Sequence, residues 1–149
     1  MIRPATPADL PAVLALERAT PTAPHWSDAE YHAILASAAA SRRCLFVAED
    51  ERHTVAGFAV GAVLAGQGEL ESVAVVPGLR GRGIGRALCL AILSWCRAQR
   101  VAEVLLEVRA ASAGPIHLYR SLGFVVVGRR PGYYADPVDD ALVMLCRLA

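Results

Sequence analysis

Leu10, Val13, Leu14 and Leu16 recur at helical spacing behind Thr6-Pro7-Ala8-Asp9. That tetrapeptide has the form of a capping box, with Asp for the usual Glu and Pro at the first helical position. It predicts a helix running to about Ala19. Thr20-Pro21-Thr22-Ala23-Pro24 is a cluster of breakers and reads as a loop. Ser27-Asp28-Ala29-Glu30 is a second capping box and predicts a helix to about Ala40. Ile2-Arg3 reads as a short strand ahead of both helices.

The period then changes. Cys44 to Glu49, Thr54 to Leu64 and Glu69 to Val76 read as strands, joined by turns at Asp50-Glu51-Arg52-His53 and Gly66-Gln67-Gly68. Gly57 and Gly61 mark bends or bulges inside the second of them. Turns this short predict an antiparallel meander. A long apolar helix follows, from the glycine-rich stretch near residue 83 to about Gln99, and leads to a strand from Glu103 to Val108. Strand, helix, strand implies a parallel crossover. Ala113-Gly114-Pro115 opens a short helix with Gly123 as its C-terminal cap. Phe124 to Arg130 reads as a strand ended by Pro131-Gly132, and Ala141 to Arg147 as the last strand. The expected fold is α/β (α+β): one domain, residues 1–149, with a mixed, mostly antiparallel central sheet flanked by helices.

Composition narrows the function classes. The chain has 149 residues, 55% hydrophobic and 19% charged, which suits one globular core. Its net charge is +1, so there is no broad electrostatic case for nucleic acid. All 15 basic residues are arginine, which keeps a local phosphate site in view. The longest apolar run, Ala87 to Cys96, is too short to span a bilayer, and Met1-Ile2-Arg3-Pro4 lacks the apolar core of a signal peptide. These features predict a cytoplasmic protein with no membrane partner. Cys44, Cys89, Cys96 and Cys146 form no C-x-x-C pair and read as reduced core thiols. His25, His32, His53 and His117 have no ligand spacing, so no metal is expected.

The strongest chemical signal is Arg80-Gly81-Arg82-Gly83-Ile84-Gly85-Arg86, between the apolar run Val73-Ala74-Val75-Val76 and the long helix. Strand, glycine-rich basic turn and helix together offer backbone N–H groups to a pyrophosphate. The pattern is R-x-x-G-x-G. It is neither the dinucleotide G-x-G-x-x-G nor a Walker sequence ending in G-K-[ST], so nucleotide hydrolysis is disfavoured.

The run Val73 to Leu88, together with Leu106-Glu107-Val108-Arg109-Ala110 and Leu118-Tyr119-Arg120-Ser121-Leu122-Gly123-Phe124, resembles the GNAT superfamily of acyl-CoA N-acyltransferases. His25-Trp26-Ser27, Gly132-Tyr133-Tyr134 and Asp140-Ala141-Leu142-Val143-Met144 make the chain similar to the bacterial ribosomal-protein alanine N-acetyltransferases. The resemblance implies that the backbone of Val73, Ala74 and Val75 binds the pantetheine arm and thioester of acetyl-CoA. It implies that Arg80, Gly81, Arg82, Gly83, Ile84, Gly85 and Arg86 hold the pyrophosphate. It also implies that the cofactor lies in a splay between two neighbouring strands.

The same resemblance makes Glu107 the general base, against a structural or substrate-orienting role. It makes Tyr119 the acid that protonates the departing thiolate, against a packed aromatic whose hydroxyl reaches water. Glu71 is a second candidate base, at a position used by family members that act on small amines. Strand alternation puts it on one face with Val73 and Val75. Where the family carries Asn, this chain has Ser112, a shorter hydrogen-bonding group that contacts the cofactor or caps the short helix. Trp26, Tyr133 and Tyr134 line a peptide entrance from two loops, or are ordinary core and edge aromatics.

The resulting expectation is an acetyl-CoA-dependent N-acetyltransferase acting on a protein N-terminus, with a ribosomal protein's N-terminal alanine as acceptor. Two alternatives stay open: acetylation of a small amine with Glu71 as base, and a non-catalytic acyl-CoA sensor.

Overall fold

The computed structural model of the chain describes residues 1–37 and 42–148. Its elements, in order, are β1 (Ile2–Pro4), a 3-10 turn (Pro7–Asp9), α1 (Leu10–Ala19), α2 (Asp28–Ser37), β2 (Arg43–Glu49), β3 (Val55–Leu64) and β4 (Gln67–Val75). They continue with α3 (Ile84–Ala98), β5 (Glu103–Arg109), α4 (Ala113–Ser121), β6 (Val125–Tyr134) and β7 (Asp139–Arg147). The expected extension of α2 to Ala40 lies outside the described residues.

The seven strands form one sheet in the order β1-β2-β3-β4-β5-β7-β6. Every neighbouring pair is antiparallel except β4 and β5, the two strands joined by the α3 crossover. Each face of the sheet has its own core. On one side α3 contributes Leu88, Cys89, Ile92, Leu93 and Cys96, which pack with Leu70, Leu106, Phe124 and Met144. On the other, Leu10, Val13 and Leu16 of α1 and Tyr31 and Ile34 of α2 cover Leu45, Val47, Phe58, Val60 and Ala74. All four cysteines are buried free thiols, and burial pushes those of Cys44 and Cys89 up to about 12. No helix among the described residues is long and apolar enough to cross a membrane.

Local signals act where the sequence places them, with small displacements. The Asp9 carboxylate accepts the Thr6 backbone N–H at 2.8 Å, and Glu30 donates its backbone N–H to Ser27 Oγ at 3.1 Å. The α4 helix ends as expected: the N–H of Phe124 reaches the Tyr119 carbonyl and that of Gly123 the Arg120 carbonyl, with Gly123 at φ +99°. The β3–β4 turn is tighter than the sequence suggests. Ala65 and Gly66 both have positive φ and make a two-residue turn, so Gln67 and Gly68 already pair in β4.

Two expectations are overturned. Pro131-Gly132 does not end β6, which continues to Tyr134. The strand lies at the sheet edge, where a missing proline N–H costs no ladder bond, and an irregular register between Arg130 and Tyr134 absorbs the bend. Glu71 does not share a face with Val73 and Val75. Val60 pairs with Ser72 and Gly61 with Leu70, so Glu71 is the extra residue of a bulge. Leu70, Val73 and Val75 therefore face α3, while Glu71 faces Arg43 on the α2 side.

Candidate active site

The parallel pair β4–β5 is hydrogen-bonded at only two positions, Gly68 with Val104 and Glu69 with Leu105. Beyond them the strands part. The Val76 N–H goes to the Ala56 carbonyl of the β3 side, so strand alternation turns the N–H groups of Val73 and Val75 toward the space β5 has left. The Val75 carbonyl accepts a hydrogen bond from Arg80 Nε at 3.1 Å, which folds the basic turn back onto the strand end.

That turn leads straight into α3. Gly81 and Gly83 have φ of +76° and +83°, a region that a side chain disfavours. A Cβ at either position would meet no other heavy atom within 4 Å, so the backbone there is open to solvent. Gly83 is the N-cap and supplies no capping side chain. The first intrahelical bond is Ala87 N–H to the Gly83 carbonyl, so the N–H groups of Ile84, Gly85 and Arg86 have no partner within the helix. Arg86 bonds Ser121 Oγ at 2.9 Å, tying α3 to α4, and Arg82 is exposed. The chemistry of this set, open N–H groups at a positive helix end with arginines around them, fits a pyrophosphate.

The space between β4 and β5 holds two joined cavities. The smaller, about 120 Å³, is lined by Glu71, Ser72, Val73, Glu107, Ser112, Tyr119 and others. The larger, about 560 Å³, shares Glu71, Glu107 and Tyr134 with it and opens between Trp26, Tyr133 and Arg130. The structure thus brings Glu71, Glu107, Tyr119 and Ser112 together, with Trp26, Tyr133 and Tyr134 on the larger side. Trp26 lies in the α1–α2 loop, whereas Tyr133 and Tyr134 end strand β6 rather than sit in a loop.

The two carboxylates differ in their surroundings. Glu71 is 20% exposed and accepts Arg43 Nε at 3.1 Å. Burial pushes its carboxyl above the usual range, and Arg43 opposes that shift. Glu107 is 35% exposed, and its ion pair with Arg130 Nε is long at 3.5 Å. Tyr119 packs edge-on against Phe124 at 6.0 Å, and burial raises its phenol well above the ordinary value. A phenol so placed stays protonated and can donate. Ser112 occupies the N-cap of α4, yet its hydroxyl makes no capping bond. Tyr133 and Tyr134 meet at 90° with centroids 5.1 Å apart, and Arg109 stacks on Tyr134 at 4.3 Å.

Arg43 was not legible as a site residue. It bridges Glu71 to Glu30 of α2, whose Oε1 lies 2.6 Å from its NH1, and it stacks on Trp26 at 5.1 Å. Its signal in the sequence is a cation two positions before Leu45 and four before Val47, on the inward phase of β2. Arg109 is the second such residue. It donates to the Pro137 carbonyl at 2.8 Å, fixing the β6–β7 turn beside the cleft. Among the described residues, no three His, Cys, Asp or Glu side chains gather as a metal site would require.

Residues 10–124 match the Acetyltransferase (GNAT) family. The chain belongs to that family. As a GNAT protein it is an acetyl-CoA-dependent N-acetyltransferase. It is 33% identical over 138 residues to the [ribosomal protein bS18]-alanine N-acetyltransferase of Escherichia coli K12, covering 91% of this chain and 89% of that protein. The crystal structure of the E. coli ribosomal-protein-S18-alanine N-acetyltransferase superposes with a TM-score of 0.82 at 30% identity, covering 100% of this chain and 94% of that one. Ard1 from Thermoplasma volcanium superposes with a TM-score of 0.87 at 29% identity, covering 100% and 97%.

Proposed function

We propose that this acetyltransferase moves the acetyl group of acetyl-CoA to the N-terminal amine of a protein, with the N-terminal alanine of a ribosomal protein as acceptor. Transfer occurs by direct attack in a ternary complex. The observation that carries this reading is the pair of joined cavities. A narrow one, lined by Glu107 and Tyr119, opens into one large enough for the end of a peptide. The names of the relatives support the choice of acceptor.

The pyrophosphate binds the N–H groups and arginines of residues 80–86, and the pantetheine arm bonds the backbone of Val73 to Val75, with Ser112 at its side. Trp26, Tyr133 and Tyr134 frame the incoming peptide. An α-amino group has a pKa near 8 against about 10.4 for lysine, so freeing it for attack costs roughly 3.4 kcal/mol less. Glu107, directly or through water, takes the proton from the amine. The nitrogen–carbonyl bond forms, and the N–H of Val75 stabilises the oxyanion. As the carbon–sulfur bond breaks, Tyr119 gives its proton to the sulfur, the nitrogen loses its second proton to water, and Glu107 and Tyr119 then return to their starting forms by releasing a proton to solvent and taking one from it.

One observation favours a second reading. The carboxyl of Glu71 is raised by burial, which makes it a stronger proton acceptor than an exposed carboxylate, and this would serve a small amine. Steady-state rates separate the two. An Ala-starting peptide should turn over, its N-blocked form should not, and polyamines should be poor acceptors. Equal rates on the blocked peptide, or faster turnover of polyamines, would favour the second reading.

A further inference from the structure

The most completely buried carboxylate among the described residues lies outside the reacting centre. Glu17, on the last turn of α1, is 0% exposed. Its Oε2 accepts the backbone N–H of Trp26 at 2.8 Å and the hydroxyl of Tyr31 at 2.9 Å. Its Oε1 pairs with Arg18 at 3.0 Å, and the other terminal nitrogen of Arg18 reaches Asp28 in the first turn of α2. One carboxylate thus joins the end of α1, the middle of α2 and the far end of the loop between them.

That loop is a wall of the cleft. Thr22, Ala23 and Pro24 line both cavities, and Trp26 lines the larger. The loop's near end is held separately: Thr20 Oγ1 donates to the Leu16 carbonyl at 2.7 Å, and His25 Nε2 lies 2.9 Å from the Thr20 carbonyl. Its far end hangs on Glu17. Trp26 in turn carries Arg43 on its ring, and Arg43 holds Glu71 in the cleft. A buried charge without catalytic contact is costly unless its partners repay it. Here the partners are the parts that set the shape of the acceptor side.

We infer that Glu17 is a positioning residue of the acceptor cleft, acting through Trp26 and the loop of residues 20–27. This rests on the reading of the larger cavity as the acceptor side, not on the identity of the acceptor. An anchor that works by accepting hydrogen bonds predicts an uneven set of effects. Glu17→Gln keeps a side-chain oxygen for Trp26 and Tyr31, so it should behave within about threefold of the native enzyme. Glu17→Leu removes the acceptor atoms and should raise KM for the amine substrate about tenfold, leaving KM for acetyl-CoA within twofold.

Amide hydrogen exchange on the native protein tests the anchor without any substrate or variant. The Trp26 N–H should exchange at least a hundredfold more slowly than a freely exposed loop amide. In Glu17→Leu that protection should be lost while the amides of α3 keep theirs. Fast exchange of Trp26 in the native protein would overturn the inference, as would equal rises in both KM values for a folded Glu17→Leu. If the Ala-starting peptide fails as a substrate while Trp26 is protected and the amine KM shifts alone, the proposed acceptor is wrong and the role of Glu17 stands.

Discussion

At the residue scale, the assignment turns on how two carboxylates are held. Glu71 is pinned by Arg43 in a chain that runs to Glu30, whereas Glu107, among the described residues, has only a long pair with an exposed arginine. A base must release its partner to take a proton, and Glu107 has less to release. Glu107→Gln should therefore lower kcat about 10²-fold at pH 7, within the usual contribution of a general base. The deficit should shrink toward pH 9, where an α-amine with pKa near 8 is already neutral. Glu71→Gln should act mainly on KM for the acceptor. The reverse pattern would move the base to Glu71. Glu107 follows an apolar strand run, which by itself also suits a solvated edge residue, and only the resemblance of Leu106-Glu107-Val108-Arg109-Ala110 made it the candidate base. Glu17 was legible in principle: it falls four residues after Val13 and seven after Leu10, on the buried stripe of α1. A charge there is easily discounted, because sequence alone does not display the donors that will surround it.

At the element scale, the glycine turn and the parting of β4 from β5 work together. The glycines and arginines of the turn marked it in the sequence as a candidate anion site. The parting was implied only by the family resemblance, because strand pairing is a property of two segments and neither alone says where the ladder stops. The bulge at Glu71 was hidden for the same reason. Period-two alternation assumes an unbroken ladder, and one extra residue moves Glu71 to the opposite face. The positive φ of Gly83 gives the turn a direct test. Gly83→Ala forces an L-residue into the left-handed region at a cost of about 1 kcal/mol. In a domain of this size that is a fall in Tm of roughly 2–4 °C. Its methyl would also stand beside the open N–H groups and crowd an anion bound there, so KM for acetyl-CoA should rise while KM for the acceptor stays put. An unchanged acetyl-CoA KM would show that the turn does not hold the cofactor.

At the scale of the whole molecule, two cores on opposite faces of one sheet leave the split between β4 and β5 as the passage between them. The N-terminus is tied into this body by charge. Arg3 meets Asp9 through two bonds of 2.7 and 2.8 Å and also pairs with Glu49. The Arg3 guanidinium, with the Thr6 N–H, holds the Asp9 carboxyl down at about 2, from an ordinary 3.8. A carboxyl lowered on folding stabilises the native state above its unfolded value and loses that stabilisation as pH falls through the folded one. Acid unfolding should therefore steepen between about pH 4 and pH 2, and Asp9→Asn should flatten that part of the curve while lowering stability at pH 7. The central claim concerns the split itself, and a crystal structure with CoA bound tests it most directly. The pyrophosphate should lie on the N–H groups and arginines of residues 80–86, the pantetheine arm along Val73 to Val75, and the sulfur beside the Tyr119 hydroxyl with Glu107 facing it across the cleft. A sulfur facing Glu71 alone, or a cofactor lying outside the split, would contradict it.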